Sequence, residues 1–162
     1  MLPLHVAAGA AGAAEAHREY RCMPEVKYEC SAEGCEKGGR EFQDVESFTY
    51  NSRSGEISAC LWTNCYAGIA TLFRDASSGT MTAIARLKPS AHQGNESITL
   101  SLTMNDGSME GRGVAAKKDE SGEKDEGEKR EKREESPFTA VWGYGSSRLT
   151  FDMGRCSLRH LR

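Results

Sequence analysis

Apolar side chains recur at every second position in one segment of the chain after another. Ile98, Leu100, Leu102 and Met104 fall on one side of an extended backbone, with Thr99, Ser101 and Thr103 on the other. That alternation predicts a strand with one buried face and one face in water. Met81, Ala83, Ala85 and Leu87 repeat it, and Ile69, Thr71 and Phe73 follow the same rhythm. Near the end, Leu149, Phe151 and Met153 alternate with Arg148, Thr150 and Asp152. The same reading puts the first three of these on an apolar face.

Turn chemistry separates the runs. Asn51-Ser-Arg-Ser-Gly55, Asp75-Ala-Ser-Ser-Gly79 and Gly143-Tyr-Gly-Ser-Ser147 each combine glycine with side chains that satisfy local backbone groups. About eight strands at hairpin spacing result, which predicts an all-β, mainly antiparallel small sandwich or barrel. At 162 residues the chain suits one domain.

Two stretches depart from this rhythm. Residues 1–16 are small and apolar and end in Ala14-Glu15-Ala16, a small-x-small pattern that predicts a signal-peptide-like leader cleaved before His17. No Lys or Arg precedes Arg18, so the charged start of a typical signal is missing. The apolar run is also too short to span a bilayer. Residues 117–136 carry seven Lys/Arg and nine Asp/Glu and no large apolar side chain. Such a segment buries too little surface to offset its ordering entropy and reads as a charged insertion, disordered or partly helical. It divides the β domain into a first part, 17–116, and a final hairpin with tail, 137–162. The net charge of −3 offers no basic excess for nucleic acid.

Six cysteines follow the leader: Cys22, Cys30, Cys35, Cys60, Cys65 and Cys156. An even number in a small exported domain predicts a disulfide frame, with the connectivity left open by sequence alone. Cys30/Cys35 and Cys60/Cys65 share C-x4-C spacing, so we expect two local staples and a Cys22–Cys156 bond tying the ends. Crossed pairing between the two C-x4-C segments competes with this. Zinc bound by the four paired cysteines is the alternative chemistry, although zinc pairs favour shorter spacing and reducing compartments. Redox catalysis would want two residues between thiols.

Catalytic motifs are not found. His5, His17, His92 and His160 stand beside no recognisable nucleophile, and there is no G-x-S-x-G, P-loop or dinucleotide fingerprint. No cofactor is expected, and the acidic residues concentrate in the insertion, where nothing would desolvate them. Asn95-Glu-Ser97 fits a glycosylation acceptor. Trp62, Tyr66, Trp142 and Tyr144 form the candidate binding surface, since Trp and Tyr anchor interfaces well; packing against a disulfide is the competing reading.

The leader, the early Tyr20-Arg-Cys22, the two C-x4-C pairs and the closing Met153-Gly-Arg-Cys156 resemble small cysteine-containing periplasmic proteins of proteobacteria of unassigned function. The chain is also similar to periplasmic inhibitors of c-type lysozyme, which begin with a Tyr-x-Cys strand and tie a C-terminal cysteine back to a small barrel. It lacks their Ser-Ala-Ser-Gly-x-x-Tyr loop, so no inhibitory residue carries over. The expectation is a non-enzymatic periplasmic or secreted domain with a binding or structural role, its partner another exported or envelope protein. Lysozyme inhibition and metal binding are the alternatives.

Overall fold

The computed structural model describes residues 17–39, 44–62, 64–90, 96–106, 135–145 and 148–160. The leader, the charged segment as far as residue 134, His5, His92, Asn95 and the His160 side chain lie outside the described residues. Ten strands follow in chain order: β1 (Arg18–Ser31), β2 (Gly34–Lys37), β3 (Val45–Asn51), β4 (Glu56–Leu61), β5 (Cys65–Ile69), β6 (Thr71–Asp75), β7 (Thr80–Pro89), β8 (Ile98–Asn105), β9 (Glu135–Tyr144) and β10 (Leu149–His160). Strand β9 thus begins at Glu135, inside the span read from sequence as insertion.

All pairings are antiparallel, and β10 returns to pair with β1, from Arg18↔His160 to Cys30↔Leu149. The sheet order β1-β3-β4-β5-β7-β8-β9-β10 therefore closes on itself as an eight-stranded barrel. The remaining two strands are extensions: β2 pairs with the far end of β1, and β6 continues β5 along the edge of β7. An eight-stranded barrel is just wide enough for side chains to fill it. Phe48, Tyr50, Ile57, Leu87, Leu100 and Leu102 do so, each almost fully buried. The predicted inner faces of β7 and β8 are the observed ones: Met81, Ala83, Ala85, Leu87, Ile98, Leu100, Leu102 and Met104 are all in the core. The turn glycines Gly55, Gly79 and Gly145 have φ of 71°, 67° and 70°, the left-handed conformation their turns require.

Two predicted faces are reversed. Ile69 and Phe73 are 70% and 58% exposed, because the break at Ala70 carries the chain outward and leaves Ala70 and Leu72 against the core. On β10, Leu149 and Met153 are 44% and 38% exposed while Asp152 is 2% exposed. The core residue Cys156 sets that phase, since it shares its side of the strand with Asp152.

The cysteines pair Cys22–Cys156, Cys30–Cys35 and Cys60–Cys65. Each pair occupies directly opposed positions of two antiparallel strands. Sulfurs so bonded are not thiolates, which leaves the zinc reading of the paired cysteines without its ligands. Three disulfides fit an exported protein. Among the described residues no helix is long and apolar enough to cross a membrane.

Candidate functional site

The barrel wall is not sealed between β1 and β3. Their ladder runs only from Glu19↔Asn51 to Cys22↔Phe48. Beyond Cys22 the sequence supplies Pro24, which has no N–H to donate. Strand β1 then bulges at Glu25, with Pro24 opposite Gly154 and Val26 opposite Met153. Strand β3 bulges in turn at Glu46, with Val45 opposite Leu61 and Ser47 opposite Cys60. Bulges end pairing and re-aim side chains. These two leave a slot of about 590 Å³, lined by Met23, Pro24, Val26, Val45 and Trp62 on its apolar side. Its polar lining includes Arg21, Lys27, Asp44, Glu46, Ser47 and Asp152.

Gly154 makes the β1 bulge possible. A Cβ there would meet the Met23 carbonyl oxygen at 2.1 Å and Phe138 Cε1 at 2.9 Å. The extra residue also reverses the parity of β1, so Lys27 stands directly opposite Asp152 on the inward side.

Asp152 is the chemical centre of the slot. Its Oδ2 accepts a hydrogen bond of 2.6 Å from the Trp142 indole N–H. Oδ1 has no hydrogen-bond partner among the described residues, and the side chain lines the slot. Burial pushes the carboxyl up from its usual 3.8 to about 6; the Trp142 hydrogen bond and the Lys27 charge oppose the rise, and the Asp44 charge adds to it. The Lys27 ammonium bonds Asp44 Oδ1 and lies 2.8 Å from Glu29 Oε1. Burial alone would lower the Lys27 pKa, yet the bonds to Asp44 and Glu29 more than compensate and raise it. Among the described residues the Lys27 ammonium is thus bonded by two carboxylates other than Asp152.

The four aromatic residues proposed as a surface separate. Trp62, 68% exposed, stands at the rim of the slot. Tyr66 and Trp142 are buried, and Tyr144 is 40% exposed. Tyr144 packs edge-on against both, at ring separations of 6.1 Å and 6.0 Å, and its hydroxyl donates to Tyr66 at 3.4 Å. Burial first, then that hydrogen bond, raises the Tyr144 pKa well above the usual tyrosine value. Tyr66 and Trp142 pack the interior under the half-exposed Tyr144, and Trp142 reaches the slot through Asp152.

Sequence reasoning missed Asp152, Lys27 and Asp44. An isolated Asp in a strand reads as solvent-facing, and only the buried Trp142 N–H, which needs an acceptor, hinted otherwise. No protein-family model matches the chain, and no curated protein is found to match it.

Proposed function

We propose that this is an exported, non-enzymatic binding protein of the periplasm or extracellular space, which takes a small ligand into the slot between β1 and β3. The observation that carries this reading is the Asp152 carboxylate: buried, bonded on one oxygen, and facing the slot with the other. A desolvated carboxylate destabilises the fold unless it is paired, and such groups concentrate where a protein binds or reacts. The slot volume lies within the range of small-molecule sites, and apolar side chains from Met23, Val26, Val45 and Trp62 line it beside its charged groups.

The test is amide and indole shift mapping of the uniformly labelled protein against a library of small fragments of both charges. Shifts gathering on Met23, Val45, Ser47 and the Trp62 indole support the slot. Shifts scattered over the barrel, or none, reject it.

A second reading, inhibition of a c-type lysozyme, draws support from the Cys22–Cys156 bond between first and last strands of a closed barrel. Unimpaired lysozyme turnover at micromolar protein ends it.

A further inference from the structure

We infer that the slot is selective for a small organic cation, a primary ammonium on an apolar body, with the ammonium against Asp152 Oδ1 and the body against Val26, Val45 and Trp62. The inference rests on the slot being a binding site and adds the chemical class of what enters it.

Three observations converge. The first is charge. Among the described residues Lys27 is bonded by Asp44 and Glu29, which leaves the Asp152 carboxylate, when ionised, without an ion-pair partner in a buried place. A monocation neutralises it, whereas an anion meets the Asp152 carboxylate with Asp44 also in the lining and the Lys27 ammonium already bonded. Of the other charged groups bordering the slot, Glu25 lies 3.5 Å from Arg155 Nε and so has a cationic neighbour of its own. Arg21, Lys37 and Glu46 are exposed at the outer margin, where solvent screens them.

The second is hydrogen bonding. Asp152 Oδ1 accepts, and the buried Ser47 hydroxyl beside the slot also has an acceptor lone pair. An ammonium brings three donors to such acceptors, and an ether or carboxylate brings none. The third is Trp62. Its indole, 68% exposed at the rim, offers apolar area that a seated ligand covers.

Calorimetric titration with three probes of one shape decides the matter: hexylammonium, hexanol and hexanoate, at pH 7.5, on the oxidised protein. Hexylammonium is expected to bind at least about tenfold more tightly than either of the others, the advantage of a charge-assisted hydrogen bond in a desolvated site. Asp152→Asn keeps the shape and the acceptor for Trp142 and is expected to erase that preference. Trp62→Ala is expected to weaken hexylammonium by about three- to fivefold. If Asp152→Asn fails to fold, as read by its urea transition, the wild-type protein serves alone. Its affinity for hexylammonium should then fall about tenfold between pH 7 and pH 5 as Asp152 takes up a proton.

Equal binding of hexanol and hexylammonium, or an unchanged preference in Asp152→Asn, overturns the cation assignment while leaving the slot a binding site. Failure of all three probes, together with no fragment mapping to the slot, overturns both. Nα-acetyl-lysine methylamide presents the same ammonium on a peptide. Binding tighter than that of hexylammonium would overturn the assignment to a free small amine.

Discussion

Replacing Asp152 by Asn should make the protein more stable at neutral pH and leave its stability nearly unchanged at pH 4. The carboxyl titrates near 6 in the folded protein against 3.8 in the unfolded chain. The folded state therefore binds the extra proton more tightly, and its contribution to stability is fully present below pH 4 and lost as pH rises through 6. A shift of that size corresponds to about 3 kcal/mol, since one pKa unit is about 1.4 kcal/mol. Asparagine is isosteric, still accepts from Trp142 Nε1, and does not titrate. The difference between variant and wild type should thus grow by about 2.5 kcal/mol from pH 4 to pH 7, in favour of the variant. Other carboxyls cancel in that difference, including Asp75, which Ser77 and Ser78 hold down at about 2. Urea unfolding with disulfides intact measures it. With a urea slope of about 1.5 kcal/mol/M, the midpoints should part by about 2 M at pH 7. A stability difference that is flat across this range, or that favours wild type as pH rises, would refute the claim that the carboxylate is desolvated.

Gly154→Ala should cost about 2–3 kcal/mol in urea unfolding, because the new methyl group meets backbone that the β1 bulge has fixed; wild-type stability would contradict the geometry. Removing Cys22–Cys156 by paired alanines should cost about 4–5 kcal/mol and removing Cys60–Cys65 about 2, following the lengths of the loops they close. The reverse order in denaturant unfolding would show that loop length does not govern these bonds. Deleting residues 117–133 and bridging with a short Gly/Ser linker should change stability by less than about 1 kcal/mol. Loss of a single cooperative melting transition would mean that the segment contributes to the core.

The barrel was legible wherever one strand face was wholly apolar. Ile98 to Met104 and Met81 to Leu87 carry large or small apolar side chains at every inward position and Thr, Ser or charge at most outward ones. Only one phase of each strand buries them. Strand β10 lacks that contrast. Leu149, Phe151 and Met153 look like a core face, yet the outer wall of a small barrel keeps apolar residues too, and the true phase is set by Cys156. Ile69 and Phe73 mislead for a different reason, a one-residue break at Ala70 that no local pattern announces. The slot was illegible because it is made by what two strands fail to do together. Pro24 was visible as a weak point in a ladder, but the answering bulge at Glu46 and the approach allowed by Gly154 are tertiary facts.

The retention of a buried carboxylate that weakens the fold at neutral pH is the core of the functional account. Proteins give up stability in this way at sites that work. The most direct test follows the Trp142 indole N–H resonance through a pH titration in Trp62→Phe, where it is the only indole. That proton is bonded to Asp152 Oδ2 and reports the carboxyl's charge. An inflection near pH 6 is expected for the free protein, displaced to lower pH when saturating hexylammonium is present. An inflection at the ordinary value of 3.8, unmoved by the amine, would mean a solvated carboxyl and no cation site at the slot floor.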